Sequence, residues 1–547
     1  MWEGLYEGLQ GVLTWPSLYV LIVGTLAGAA IGALPGLSAV SAIALLLPFT
    51  FGMEPAQGLI MLAAVYTSAQ YGGSIPAILI NTPGTSGAAA TTLDGYPMTL
   101  KGEAQEALYL QLFAGVIGGT IGAIVLIFFT PTLAAWSLNM GPAEFFWLAV
   151  AGLAMVAGLA GRDLLKGLIG AVLGVALTVP GQDDITGESR FAFGYHHLFG
   201  GIELVPALLG FFAVASVLGL VERSNERIAP LTPRPGVIRY VLSRMWRMKL
   251  LLGYTGVLGT LVGSIPGAGA SVSAFVAYGE SKRISKNRKE FGKGAWEGVA
   301  GPESANNGVV GGSIIPLIGL GLPGSGSAAV MFGALTVHGI IPGPRMFEDR
   351  ADIAYTFMVG VLATIPIMLL VGLLTVRYSS LAVKAPIRFM VPAVLALSVM
   401  GTYSLRQNLF DIAVLIIVGI LSFLLAKVGV PPITMALGLV LGTLIEQNFQ
   451  RSMIISEARR LTLWEYFFSR PIAIGFMVVL VIVLGSGIKG VVDEHRETKK
   501  QRLTDALTDG DPGLGTRTVS EAEHPGSDVP REGDGSGTDG ADRDSRS

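Results

Sequence analysis

Cysteine is absent from the 547 residues. Disulfides, thiolate metal sites and thiol nucleophiles are excluded together, because each needs the sulfur. Charge is scarce as well: Asp, Glu, Lys and Arg make up 14% of the chain, where a soluble domain carries about a quarter. Hydrophobic residues reach 51% and the mean hydropathy is +0.61, which excludes a soluble enzyme. Histidine occurs only at 196, 197, 338, 495 and 524. None stands in a His-Glu-x-x-His pattern, and no Gly-x-x-x-x-Gly-Lys-[Ser/Thr] phosphate loop occurs, so metalloprotease and ATP-driven pump chemistry lack their signatures. Gly324-Ser325-Gly326 looks like a nucleophile turn, but no histidine stands in an obvious site context beside it except His338. Nothing points to a nucleic-acid partner. Met1-Trp2-Glu3-Gly4 has no basic flank, so no cleaved signal peptide is expected and the first apolar run stays.

Glycine and proline are plentiful, at 74 and 29, which suits membrane helices that pack closely or are interrupted. The acidic and basic residues are unevenly spread. Residues 493–547 hold 14 Asp and Glu against 8 Lys and Arg and no aromatic residue, leaving 25 acids and 29 bases for the rest. Such a tail cannot bury enough apolar surface to offset its ordering entropy, and disorder is expected there.

Apolar stretches recur near 57–93, 108–136, 147–161, 164–180, 201–221, 299–341, 353–376, 387–404, 409–426, 428–446 and 471–491, each about bilayer length. No Lys or Arg precedes Lys101, whereas 222–250 holds Arg223, Arg227, Arg234, Arg239, Arg244, Arg247 and Lys249. The positive-inside rule then puts the N-terminus outside and this central loop in the cytoplasm. A second basic loop, Lys282 to Lys293, follows after the single apolar stretch 251–278. Both ends of that stretch fall on one side, so it must enter and turn back, and Ile265-Pro266-Gly267 marks the bend. A kinked full span with one basic loop on the wrong side is the competing reading.

Three blocks recur in order. Gly32-Ala33-Leu34-Pro35-Gly36 returns as Gly263-Ser264-Ile265-Pro266-Gly267 at an offset of 231; Gly72-Gly73-Ser74-Ile75 returns as Gly311-Gly312-Ser313-Ile314 at 239; Pro83-Gly84-Thr85 returns as Pro323-Gly324-Ser325 at 240. Duplication explains the order better than chance in a Gly-rich chain. The first copy offers five crossings after its hairpin, and an odd number inverts the second copy. Paired interrupted segments from inverted repeats are how secondary transporters build a midplane site.

With these residues in view, the chain resembles the large membrane subunit of the tripartite tricarboxylate transporters, over roughly 17–490. The blocks that carry the resemblance are Tyr71-Gly72-Gly73-Ser74-Ile75 through Asn81-Thr82-Pro83-Gly84, Asp94-Gly95-Tyr96-Pro97-Met98, Pro302-Glu303-Ser304-Ala305-Asn306-Asn307 and Leu322-Pro323-Gly324-Ser325. The resemblance implies an inner-membrane importer of citrate-like di- or tricarboxylates by cation symport. It also implies two partners, a small four-helix membrane subunit and a periplasmic solute-binding protein that delivers substrate. No organic cofactor is implied, only Na+ or H+ as coupling ion. A channel built on re-entrant loops is the alternative.

A carboxylate needs donors, and helix N-termini after Pro35-Gly36, Pro83-Gly84, Pro266-Gly267 and Pro323-Gly324 provide them, the helix dipole favouring an anion there. Ser38, Thr85, Ser86 and Ser325 add hydroxyls, and Asn81 and Asn307 add amides. Arg345 and Arg350 are the rival anion partners. Oxygens of Ser74, Asn81, Glu303, Asn306 and Ser313 are hard donors for cation coupling. Glycine pairs and Pro-Gly kinks also serve plain packing, and Glu303 reads equally as a helix N-terminal charge. Asp94 reads as an interfacial loop residue. His338, alone, reads as a hydrogen-bonding residue between helices.

The expected fold is an all-α polytopic membrane protein of two inverted-topology repeats, each with a re-entrant hairpin and a Pro-Gly-interrupted helix. The repeats occupy 1–240 and 241–470, followed by a final helix at 471–492 and a cytoplasmic tail at 493–547. That makes about 11 crossings plus two hairpins.

Overall fold

A computed structural model describes residues 1–159, 164–183, 187–221, 235–379, 387–487 and 489. Residues 1–491 form one compact unit. The expected tail lies outside the described residues, as do Arg223, Arg227 and Arg234.

The chain opens with α1 (Trp2–Val12), whose Gly8 and Val12 are buried. Next come α2 (Trp15–Gly32), a break at residues 33–38 with Gly36 at φ +92°, and α3 (Ala39–Leu46). Positive φ at the break is open to glycine without penalty. Then α4 (Pro55–Ile80) starts on a proline, contains Pro76, and stops where Asn81 adopts a left-handed cap at φ +60°. The segment returns through a turn at Gly87–Ala89 to α5 (Thr92–Leu100). Long α6 (Ala104–Ser137), α7 (Pro142–Leu159) and α8 (Leu164–Ala176) follow. A two-stranded pairing of Gly181–Gln182 with Ser189–Arg190 precedes α9 (Leu204–Leu209), which runs through a π-helical turn into α10 (Ala215–Val221).

The second half repeats this local structure. After the short α11 (Val237–Arg247), α12 (Lys249–Gly263) and α13 (Gly269–Ile284) flank a break with Gly267 at φ +85°. Helix α14 (Trp296–Leu320) carries Pro316 and ends at left-handed Gly321, φ +74°, and α15 (Gly326–Val337) resumes beyond Pro323-Gly324. The rest is α16 (Arg345–Asp349), α17 (Ala351–Thr375), α18 (Ile387–Arg406), α19 (Leu409–Lys427), α20 (Pro432–Ala458), α21 (Leu463–Phe468) and α22 (Pro471–Gly487). Among the described residues five helices are long and apolar enough to cross a membrane, and shorter apolar helices accompany them.

Glycines set the helix spacing. A Cβ on Gly24 or Gly28 of α2 would meet the carbonyl oxygens of Met61 at 2.7 Å or Val65 at 2.5 Å on α4, so only glycine lets these backbones touch. In the second half a Cβ on Gly259 of α12 would meet the Ala305 carbonyl oxygen, and one on Gly263 would sit 2.9 Å from the Val309 Cα on α14. Across the halves, a Cβ on Gly122 of α6 would meet the Gly308 carbonyl oxygen at 2.6 Å. The main core draws Ile43, Tyr66 and Phe211 from the first half together with Ile314, Val330, Phe357 and Leu415 from the second. Buried residues from both sides of residue 240 therefore share one core.

Polar contacts show which helix ends lie together. Arg470 Nε donates to Glu144 Oε1 at 2.6 Å, and Arg406 pairs with Glu203 at 2.8 Å and Asp411 at 3.1 Å. Arg190 pairs with Asp183 at 3.3 Å and with Glu446. Arg470, Arg406 and Arg190 are thus each paired with a carboxylate brought from a distant part of the chain. Helices α12 and α13 pack as a hairpin, with the Tyr254 hydroxyl donating to Glu280 at 3.1 Å near the base. This geometry generates a test in the Cys-free chain: single cysteines at the exposed positions Arg247 and Lys286 should react with an impermeant thiol reagent from the same side of a sealed membrane. Labelling from opposite sides would show that 249–284 crosses instead of turning back.

Candidate functional site

The interrupted helices fold back on themselves. The Gly84 N–H donates to the Gly73 carbonyl at 2.9 Å, and a Cβ on Gly84 would collide with Gly32 O and sit 2.9 Å from the Gly73 Cα. A Cβ on Gly73 would in turn meet Thr85 Oγ1 at 2.6 Å. Gly72-Gly73 is therefore the seat that lets Pro83-Gly84-Thr85 lie against its own helix and the first hairpin. In the second half the Gly267 N–H donates to the Gly324 carbonyl at 3.0 Å, joining the second hairpin's Pro266-Gly267 bend to the break. Space is looser there, the nearest atoms to a Cβ on Gly324 being Pro316 Cγ at 3.3 Å and Gly263 O at 3.4 Å.

Beyond each break the two halves exchange contacts. The turn at Gly87–Ala89 packs on α13, where a Cβ on Gly87 would collide with Asn306 Oδ1 and sit 2.9 Å from the Ala270 methyl. Reciprocally α15 packs on α3, where a Cβ on Gly326 would sit 3.3 Å from Val40 Cγ2. Each post-break segment thus rests on the outgoing arm of the other half's hairpin.

A buried polar cluster lies at this junction. The Thr91 hydroxyl donates to Glu303 Oε1, while Glu303 Oε2, Ser74 Oγ, Thr85 Oγ1, Ser273 Oγ, both amide atoms of Asn306 and Asn307 Oδ1 have no hydrogen-bond partner among the described residues. Glu303, Asn306, Asn307 and Ser74 are fully buried, and Thr85 is 3% exposed. Gln70 Oε1, the Tyr71 hydroxyl and both amide atoms of Gln111 are likewise buried without partners. Native proteins pair the great majority of buried polar atoms. Ser74, Thr91 and Asn306 lie within reach of the Glu303 carboxyl, and this concentration of buried polar groups marks the candidate site.

The remaining candidates fall outside the cluster or have local work. Asn81 and Ser86 are exposed. Ser38 and Ser325 cap helices, accepting from Ser41 N and Ala328 N at 3.1 Å each. Pro35, Gly36 and Pro266 are half-buried at the hairpin bends, while Pro323 is buried at the second break. Ser313 shares a 3.0 Å hydrogen bond with the Tyr66 hydroxyl. Arg345 and Arg350 are exposed, and Arg350 lies 3.6 Å from Asp352. His338 lies 3.3 Å from Thr50 Oγ1, the interhelical role its isolation predicts. Sequence reasoning missed Thr91, Gln70, Tyr71 and Gln111. The signal for Gln70 was there: with Ser74 it forms an i, i+4 polar pair in an otherwise apolar helix.

Asp94 departs from the loop expectation. It sits in the first turn of α5, fully buried, with Oδ1 accepting N–H groups from Gly292 at 2.9 Å, Gly294 at 2.8 Å and Ala295 at 2.8 Å. Its Oδ2 accepts the Tyr278 hydroxyl at 2.9 Å. Gly292 and Gly294, at φ +82° and +98°, turn their N–H groups toward it. The local turn-like sequence hid a partner about 200 residues away. Asp94 ties the first half to the second hairpin and the start of α14.

These features define a polytopic helical membrane protein with two broken helices meeting at a buried polar centre. The chain belongs to the tripartite tricarboxylate transporter TctA family, which matches residues 18–437. It is 37% identical over 507 residues to an uncharacterized 52.8 kDa protein in the TAR-I ttuC' 3'region of Agrobacterium vitis, covering 90% of this chain and 98% of that one. It is 38% identical over 237 residues to an uncharacterized protein in the TAR-II ttuC' 3'region of the same organism, 42% of this chain and 95% of that one. No solved structure matches it.

Asp94→Ala should strand three N–H groups and a hydroxyl, and loss of charge-assisted bonds worth about 1.5 to 3 kcal/mol each is a large fraction of folding stability. Thermal unfolding in detergent should fall well below wild type and proteolysis within 284–295 should rise. Asp94→Asn, which still accepts, should lie between; an unchanged Asp94→Ala protein would remove the anchor role.

Proposed function

We propose that the chain is the translocating subunit of a secondary importer for small di- or tricarboxylates, coupled to Na+ or H+. On this reading a solute-binding protein delivers substrate at the outer face and a small membrane subunit completes the complex. The observation that carries the reading is the reciprocal packing of each post-break segment on the opposite hairpin around unpartnered buried polar atoms. The two halves are taken as inverted, with the N-terminus out and the C-terminus in, from the charge of the loops. Hydroxyl and amide groups beside one buried carboxyl suit binding and release of an anion with a cation.

Within the site, the N-terminus of α15 and the Thr85 hydroxyl are the donors for carboxylate. The Gly84 and Gly267 N–H groups are already engaged by backbone carbonyls, so they serve the fold. Glu303, with Ser74 and Asn306 beside it, is the place for the coupling cation: one of its oxygens has only the Thr91 hydroxyl and the other has none.

Uptake of labelled di- and tricarboxylates into proteoliposomes, with Na+ and H+ gradients imposed in turn, tests the reading. Saturable, gradient-dependent uptake that requires both partners is expected; uptake by the chain alone equal to the full complex would refute the tripartite role, and unsaturable ion current would favour a channel. Thr85→Ala should lower substrate affinity roughly ten- to more than a hundredfold, the loss of one hydrogen bond to a charged group, at unchanged stability. Ser325→Ala should instead cost about 1 kcal/mol of helix capping. Gly84 is unsuited to a binding test because its Cβ would break the fold. If Arg345→Ala abolishes binding while Thr85→Ala does not, the neutral-donor site is wrong.

A further inference from the structure

We infer that α11 is an interfacial helix that binds anionic phospholipid headgroups beside the second hairpin. At eleven residues it is too short to span a bilayer, and it presents three stripes at helical spacing. Val237, Val241 and Met245 are buried in the protein core. Beside them Ile238, Leu242 and Trp246 are 39%, 47% and 72% exposed, an apolar i, i+4, i+8 stripe with no protein cover. The next stripe is Arg239, Ser243 and Arg247, all exposed.

Among the described residues this charge has no carboxylate counterion. No acidic residue occurs from 235 to 279, and Arg239, Arg247 and Lys249 have no carboxylate partner among the described residues. Lys249 leans over the Trp246 ring at 4.6 Å, and Arg244 over Trp296 at 4.5 Å while donating to the Tyr240 hydroxyl at 2.9 Å. An apolar stripe alongside a cationic stripe matches a lipid surface, acyl chains meeting the first and phosphates the second. A soluble anion would leave Ile238, Leu242 and Trp246 in water. Because α12 begins two residues after α11 ends, lipid held here fixes the base of the hairpin.

The inference rests on the chain lying in a bilayer and not on what it carries, so its failure would leave the transport reading standing. Single Ile238→Cys, Leu242→Cys, Arg239→Cys and Ser243→Cys chains, each carrying a nitroxide label, are reconstituted in equal parts phosphatidylcholine and phosphatidylglycerol. Labels at 238 and 242 should be relaxed by oxygen and those at 239 and 243 by a water-soluble nickel complex, with excess inorganic phosphate changing neither. Nickel access at both stripes would mean a water-facing helix, and shielding of both from either reagent a protein cover; each overturns the inference. Native mass spectrometry gives the charge arm: Arg239→Gln, Arg247→Gln and Lys249→Gln should each weaken phosphatidylglycerol retention roughly five-fold. Arg459→Gln with Arg460→Gln should leave it unchanged. Equal retention in all variants, or equal loss in the control, would refute headgroup binding.

Discussion

A helix broken inside a bilayer has backbone groups that no solvent can satisfy, and that constraint governs this molecule. The breaks at 81–86 and 321–325 persist because other backbone closes on them: Gly73 O takes the Gly84 N–H, and Gly324 O takes the Gly267 N–H. Such closure requires backbone-to-backbone approach, which is why Gly32, Gly73 and Gly263 stand where the hairpins meet the breaks. The glycine content is thus a packing requirement before it is a functional one.

From this constraint follows the exchange between halves. A broken helix cannot continue straight, so its next segment must find another surface, and each finds the outgoing arm of the opposite hairpin. The arrangement makes the polar centre a joint property of both halves: Ser74 and Thr91 come from the first, Glu303 and Asn306 from the second. Asp94 reinforces the junction, collecting three N–H groups from the segment that leads into α14.

Much of this was legible in the sequence, and the residues show why. Pro35-Gly36, Pro83-Gly84 and their later echoes announce broken helices through local chemistry alone, and uneven Lys and Arg placed the 251–278 bend. Glu303 with Asn306 was visible as polar residues in an apolar run. Thr91, Gln111 and the anchoring of Asp94 were not, because their significance comes from partners or neighbours far along the chain. A threonine near a turn, or a glutamine in a long helix, carries no signal until the fold brings a carboxyl or a dry interior to it. Ser38 and Ser325 add a role that the motif did not announce: each hydroxyl oxygen accepts a backbone N–H as a helix cap, which leaves its O–H free to donate.

The electrostatics of the centre link the two ligands of the transport reading. Glu303 is the formal charge among its orphaned groups, fully buried, and it shares its site with neutral hydroxyls and amides. A bare carboxylate there is unfavourable, and a second anion approaching it in low dielectric is more so. Neutralising Glu303, by a cation on its open oxygen or by a proton, removes both penalties at once. Substrate and coupling ion then favour each other's binding without moving any element between them, and the reciprocity is required by linkage. A buried arginine in place of the neutral donors would hold the carboxylate with or without the ion and so uncouple the two. Among the described residues no Lys or Arg is buried, which is the condition that the proposed coupling requires.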